Sequence, residues 1–238
     1  MTTPVEKFKT FSPVLDKLLG GGLPRAGVIL FEFSPYAPSL YYATNLLLDG
    51  LKKGECGVYI TFDHSPQFIR HLLENHGVPP KEFEDSRKLF IVDGFRWGEK
   101  QEPYFIRDPS SFSEVLNVFS QIRSNAVADL QGNCRCVVDS TISLFFGYGT
   151  ARMVSFELLI REVSAQIGIA TIMLSPFAIG RQYNEILGSN SDGIIEVRSF
   201  EEGERLVHKF RIRKMPGQEP SRWVRYELVG SSIILQDE

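Results

Sequence analysis

Cysteine is scarce: Cys56, Cys134 and Cys136 are the only three, and none belongs to a CxxC pair. An odd set without ligand spacing argues against a disulfide framework or a zinc site and fits a reducing compartment, the cytoplasm. His71 and His76 are five apart, so they too miss the spacing of a helical metal pair, and no metal is expected. Long apolar runs are missing. The greasiest stretch, Ile167 to Gly180, is too short to cross a bilayer and contains Pro176, so no membrane association is expected. The opening residues, MTTPVEKFKTFSP, carry no apolar h-region and show no secretory signal. Basic charge is not in excess. The 26 Lys and Arg face 29 Asp and Glu for a formal net charge of −3, which argues against a general polyanion binder. No internal repeat, low-complexity tract or linker interrupts the chain. What is present is 238 residues, 43% hydrophobic and 23% charged. A chain of that size buries about 70% of its unfolded surface in one core, and residues 1–238 are expected to form a single domain.

Short apolar, β-rich runs alternate with helical patterns. Strands are predicted at Gly27–Phe33, Cys56–Phe62, Leu89–Val92, Cys134–Asp139 and Ile169–Leu174. Helices are predicted from Ser39 to Lys53, from a Ser65 N-cap with Pro66 at the first position to Asn75, from Ser111 to about Leu130, and from Met153 to Ile167 before Gly168. Ser111-x-x-Glu114 has the spacing of a capping box. Continuous apolar strands separated by helices mean an α/β fold, a mainly parallel twisted sheet covered on both faces. From 191 to 238 the pattern turns to strands alone: Gly193–Ser199, Arg205–Lys214 and Trp223–Leu235, with a hairpin turn at Glu201-Glu202-Gly203-Glu204. These predict an antiparallel extension on one sheet edge.

Four segments appear in a meaningful order: Leu15-Asp16-Lys17-Leu18-Leu19-Gly20-Gly21-Gly22-Leu23-Pro24-Arg25 within the lead-in of residues 1–26, Leu51–Glu55 running into Val58–Phe62, Cys136-Val137-Val138-Asp139-Ser140, and Arg213-Lys214-Met215 with Gly217. Together they resemble the KaiC/RadA branch of the RecA-like P-loop ATPases over nearly the whole chain. In that family a Gly-rich loop ending in Lys-Thr or Lys-Ser joins the first strand to its helix. Its glycines let backbone N–H groups curl around the phosphates, its lysine neutralises their charge, and its hydroxyl holds Mg²⁺.

The departures carry the functional expectation. The loop here reads Phe33, Ser34, Pro35, Tyr36, Ala37, Pro38, Ser39, Leu40, and no lysine occurs from Ala26 to Leu51. Phe33, Tyr36 and Pro38 stand where the resemblance implies glycines, Ser39 where it implies the lysine, and Leu40 where it implies the Mg²⁺ hydroxyl. After the second strand, where the family has two acids, this chain has Asp63 and His64. A neutral imidazole accepts a proton, but without a clamped phosphate it has nothing to act on, so Asp63 and His64 are read as strand-end residues facing water. Asp139 fits the Walker B acid and is read as a remnant that caps backbone groups near Ser140 and Thr141. Lys214 matches a lysine that reaches the adjacent subunit's nucleotide, and Pro216 replaces the arginine of that pair.

Three further features bear on partners. Lys209, Arg211 and Arg213 alternate on one strand face, which reads as a solvated face or as a subunit or nucleic-acid contact. Phe145, Phe146, Tyr148 and Arg152 lie in a stretch, Leu144–Arg152, read as a loop that packs on a partner or stacks on single-stranded DNA. Phe95, Trp97, Tyr104 and Phe105 cluster in a long loop from Asp93 to about Pro109 and read as an interaction surface or lid. The resemblance and its departures together imply a non-catalytic module, a pseudo-ATPase that binds neither ATP nor Mg²⁺ and pairs with itself or an intact paralogue. The alternatives are a recombination or repair accessory that binds single-stranded DNA, a weak atypical ATPase, and a sensor holding an apolar or aromatic ligand between Phe33, Tyr36 and Tyr42.

Overall fold

The computed structural model describes residues 6–95, 102–127, 130, 133–229 and 232–235. In chain order the elements are β1 (Lys7–Phe8), α1 (Pro13–Leu18), β2 (Leu23–Pro24), β3 (Gly27–Phe33), α2 (Ser39–Lys52), β4 (Cys56–Thr61), α3 (Pro66–Asn75), α4 (Pro80–Asp85) and β5 (Leu89–Asp93). They continue with α5 (Phe112–Asn125), β6 (Cys134–Asp139), α6 (Thr141–Tyr148), α7 (Thr150–Ile167), β7 (Ile169–Pro176), α8 (Arg181–Asn190), β8 (Gly193–Glu202), β9 (Arg205–Lys214), β10 (Val224–Val229) and β11 (Ser232–Leu235).

The main sheet has the order β11-β10-β9-β8-β3-β7-β6-β4-β5. From β8 to β5 every neighbouring pair is parallel, and β8-β9, β9-β10 and β10-β11 are antiparallel. The expected α/β sheet with a C-terminal antiparallel extension is therefore present, and β8 is its hinge strand, parallel to β3 and antiparallel to β9. β3 lies in the interior of the sheet. Its alternation sends Ile29 and Phe31 into a core shared with Leu15, Leu46, Leu47, Ile69 and Leu73 of α1–α3. Val28 and Leu30 enter the opposite core, with Val115, Phe119, Phe156, Ile160 and Leu187 of α5, α7 and α8. Period-two strands covered on both faces require both cores to be apolar.

Local signals act as their chemistry dictates. Ser65 Oγ accepts from Phe68 N–H with Pro66 at the first helical turn. Gly203, at φ 65°, makes the tight turn between Glu202 and Arg205, which pair across the hairpin. Cys134 and Cys136 are free and buried. Arg135, 4% exposed, ties the lead-in to the sheet by binding Glu55, Asp49 and the Lys9 carbonyl.

Several local features differ from expectation. α5 stops at Asn125, because Ala126 turns to an extended conformation (ψ 139°) and the chain carries Leu130 inward. Only half of the capping box forms: Ser111 Oγ accepts from Glu114 N–H, but the Glu114 carboxylate binds the Arg107 and Asp108 N–H groups. The run Trp223–Leu235 is two strands rather than one. Leu144–Arg152 is not a loop. It is the end of α6 and the start of α7, capped at Ser140, whose Oγ accepts from Ile142 N–H, and broken by Gly149 at φ 81°. Thr141, Leu144, Phe145 and Tyr148 form the inward stripe that holds α6 down.

Candidate functional site

The C-terminal ends of β3, β4, β6 and β7 converge, and ligands of open α/β sheets bind at such strand ends. They enclose an open cleft of about 310 Å³. Phe33, Pro35, Leu40, Ile142, Pro176 and Ala178 supply its apolar wall, and Asp63, His64, Asp139 and Ser140 its polar side. Among the described lining residues there is no lysine or arginine.

The loop from β3 to α2 is closed on itself. Ser34 N–H donates to the Val197 carbonyl of β8 (3.0 Å), Ala37 N–H to Ser34 O (2.9 Å) and Ser39 N–H to Ala37 O (2.8 Å). Pro35 and Pro38 have no N–H to give. Between Ser34 and Ser39 only Tyr36 falls outside this accounting, and the residue is 73% exposed. Ser34 Oγ accepts from Ser199 N–H (2.9 Å), a second stitch to β8. Pro38 caps α2 without a side-chain hydrogen bond, Ser39 is buried, and Leu40 packs toward the core. Tyr42, expected to line a ligand pocket with Phe33 and Tyr36, is 1% exposed and packs between Phe31 and Tyr226. Its place on the inner face of α2 removes it from the cleft.

The polar side is tightly paired. Asp139, 2% exposed, holds His64 Nδ1 at 2.8 Å and the Tyr59 hydroxyl at 3.2 Å on one carboxylate oxygen. The imidazole stacks on Phe68 at 4.7 Å, and Thr61 Oγ1 donates to its backbone carbonyl (2.6 Å). The hydrogen bond to Asp139 raises His64 above the usual histidine value. Burial raises Asp139 as well, outweighing the lowering effect of His64. Asp63 accepts from Ser140 Oγ and from Ser143 N–H. The Asp139–Ser140 peptide is cis.

Two expectations are corrected here. Asp139 does not cap the backbone near Ser140 and Thr141; Asp63 does that, because Asp139 points across the strand ends to His64 and Tyr59. His64 is not a free residue facing water, since its ring is held between Asp139 and Phe68. Tyr59 and Ser140 are site residues that sequence reasoning missed. Tyr59 reads as one more apolar strand residue, and only the register of β4 against β6 places its hydroxyl beside Asp139.

The remaining candidates lie elsewhere. Lys214 Nζ caps its own chain, donating to the carbonyls of Gly188, Ser189 and Ser191 at the end of α8. Lys209 binds Glu202 (2.9 Å), Arg211 binds Glu196 (2.7 Å) and Arg213 binds Glu32 (2.6 Å), so this face of β9 is paired with carboxylates. Phe145 packs against Tyr183 (4.6 Å) and Tyr148 donates to the Arg107 carbonyl. Phe146 is 70% exposed and Arg152 is exposed. In the aromatic loop Phe95 is exposed and Tyr104 packs on Phe90 (5.5 Å), while Trp97 lies outside the described residues. No described helix is long and apolar enough to cross a membrane.

Comparison with known proteins agrees with this architecture. The sequence is 29% identical over 220 residues to UPF0273 protein MK0039 of Methanopyrus kandleri, covering 90% of this chain and 84% of that one. It is 28% identical over 236 residues to UPF0273 protein PH0284 of Pyrococcus horikoshii, covering 96% and 93%. The crystal structure of KaiC-like protein PH0186 from Pyrococcus horikoshii OT3 superposes with a TM-score of 0.78 at 20% identity, covering 98% of this chain and all of that one. The family model described as ATPase: KaiC matches residues 8–234. The chain therefore belongs to the KaiC ATPase family and carries its RecA-like fold.

Proposed function

We propose that this chain is a pseudo-ATPase of the KaiC family, a non-catalytic module that assembles with itself or with an intact paralogue. The observation that carries this reading is the closed loop. A phosphate cradle needs N–H groups aimed outward and a cation behind them. Here Ser34, Ala37 and Ser39 spend their N–H groups on carbonyls, Pro35 and Pro38 have none, and Leu40 has no oxygen for Mg²⁺. ATP with Mg²⁺ does not fit these residues. Charge-assisted hydrogen bonds contribute roughly 1.5–3 kcal/mol each, so the absence of three weakens phosphate binding about 10³-fold or more.

The opposite side of the cleft supports the same reading. Asp139 is paired with His64 rather than left to order a metal shell, and no lysine or arginine among the described lining residues offsets a triphosphate's charge. Lys214, the residue the family resemblance assigns to a neighbouring subunit's nucleotide, is bound to α8 of its own chain. Protein contacts then have to hold any assembly. Exposed Phe146 and Phe95 are the surfaces offered for them. The single-stranded DNA reading has less behind it because, of Phe145, Phe146, Tyr148 and Arg152, only Phe146 and Arg152 are exposed.

Light scattering with and without ATP·Mg²⁺, followed by a pull-down from native extract, tests the proposal. The expected result is a mass above the monomer that nucleotide leaves unchanged, or capture of an intact KaiC-family relative. Nucleotide-driven assembly contradicts it, as does a strict monomer that captures no relative.

A further inference from the structure

β3 and β8 set two carboxylates side by side in the sheet. Glu32 and Glu196 are register partners, and both are 0% exposed. Like charges on adjacent strands repel and burial adds a desolvation cost, so an apolar pair would suit the sheet better. Glu32 even keeps one oxygen, Oε1, buried without a hydrogen-bond partner.

What the pair holds is an array of guanidiniums. Arg198 Nε binds Glu196 Oε1 (2.5 Å), Arg211 Nε binds Glu196 Oε2 (2.7 Å), and Arg213 Nη1 binds Glu32 Oε2 (2.6 Å). Two are also seated on rings: Arg198 lies over Phe177 at 4.7 Å and Arg211 over Trp223 at 4.6 Å. A guanidinium carries five donors in a planar fork, so an arginine anchored in this way retains further N–H groups for a ligand. Together with Arg181 of α8 these side chains line an open cavity of about 260 Å³ that shares no lining residue with the cleft at the β3 loop. Four arginines there face three carboxylates (Glu32, Glu185 and Glu196), with two of the carboxylates buried beneath the forks.

We propose that this cavity is an oxyanion site for a phosphoryl group, either free phosphate or the terminal phosphate of a phosphomonoester. Arg198, Arg211 and Arg213 bind it, and Glu196 and Glu32 are positioning residues. Several fixed forks around one small cavity match a tetrahedral dianion with oxygens on every side, whereas a carboxylate occupies one fork. The site stands whether or not the β3 loop binds ATP, because the two share no residue.

Calorimetric titration of the full chain with inorganic phosphate, acetate and glycerol 3-phosphate tests this. Phosphate is expected to bind at least about tenfold more tightly than acetate, Arg198→Ala to weaken phosphate binding about tenfold, and Arg198→Lys not to restore it. Glycerol 3-phosphate binding more tightly than phosphate identifies an ester as the ligand; equal binding identifies the free ion. Glu196→Gln discriminates a positioned site from a merely cationic surface. Removing a negative charge tightens phosphate binding on a plain patch but weakens it here, where two arginines lose their anchor. If Glu196→Gln does not fold, Arg211→Lys carries the same test, because it keeps the charge and leaves a plain patch unchanged but removes the fork and weakens a positioned site. Phosphate binding no tighter than acetate, an unchanged Arg198→Ala, or a tighter Glu196→Gln overturns the proposal. So does capture of a single-stranded oligodeoxynucleotide that Arg198→Ala abolishes and with which phosphate does not compete.

Discussion

The two sides of the cleft satisfy their polar groups in opposite ways. On the β3 side the loop Ser34–Pro38 turns its N–H groups onto its own carbonyls and onto β8, and its side chains are small, apolar or exposed. On the β4 and β6 side Asp63, His64, Asp139 and Ser140 form a dense set of charged hydrogen bonds, with Asp139 buried. The backbone needs no ligand on the first side, and a histidine stands where a metal shell would compensate Asp139 on the second. The acids of this strand-end site are therefore held by protein partners, as buried charges require.

The largest effect that can break this contrast is expected from Asp139→Ala. Removing one partner of a buried pair leaves His64 and the Tyr59 hydroxyl uncompensated and costs about 3–5 kcal/mol in a denaturant titration. A loss under about 1 kcal/mol would mean that the polar side is as dispensable as the loop. Glu157 offers a yardstick, a buried carboxylate that accepts hydrogen bonds from the neutral Asn190 and Ser191 side chains. Burial pushes it up to about 7. The folded state thus holds this proton more tightly than the unfolded chain, and stability falls as pH rises from about 4.5 to 7. The loss is on the order of 3 kcal/mol. Glu157→Gln is expected to flatten that part of a stability–pH curve, and a curve identical to wild type contradicts the assignment.

The His64–Asp139 pair should give a smaller swing of the same sign, since the imidazole is about one-third exposed. His64 is raised, so its contribution is whole below the unfolded histidine value near 6.5 and is lost as pH rises through the folded one, whereas Asp139, raised by burial, loses its contribution as pH rises above the unfolded carboxylate value near 3.8. His64→Gln should reduce the pH dependence left above about pH 6.5 in the Glu157→Gln background; a residual step of unchanged size there would assign it elsewhere. The smallest effect belongs to the loop. Tyr36→Ala is expected to change stability by less than about 0.5 kcal/mol, as an exposed residue without a structural partner does, and a thermal melt that drops by several degrees would show the loop to be a structural element.

Much of the sheet was legible because continuous apolar runs such as Gly27–Phe33 and Cys56–Thr61, separated by helical patterns, admit little else, and Ser65-Pro66 and Gly203 punctuate the chain by backbone chemistry alone. α6 escaped because Phe145-Phe146-Gly147-Tyr148-Gly149 looks loop-like until Thr141, Leu144, Phe145 and Tyr148 are counted as one helical stripe. The unusual loop chemistry was visible in Pro35, Pro38 and Leu40. The partners of Asp139 were not, because Tyr59 and His64 lie about eighty residues away and meet it only through the β4–β6 register. The same holds for Glu32. A charge inside an apolar strand is visible, but its neighbours Glu196 and Arg213 are decided by pairing with β8 and β9.

The direct test of the closed loop is calorimetric titration of the wild-type chain and of Ser39→Lys with ATP·Mg²⁺ at millimolar nucleotide. Neither protein is expected to give saturable heat, because a lysine alone does not reopen N–H groups already bonded to carbonyls or supply those missing at Pro35 and Pro38. Saturable, Mg²⁺-dependent binding of wild type in the micromolar range, or its appearance in Ser39→Lys, would contradict that reading.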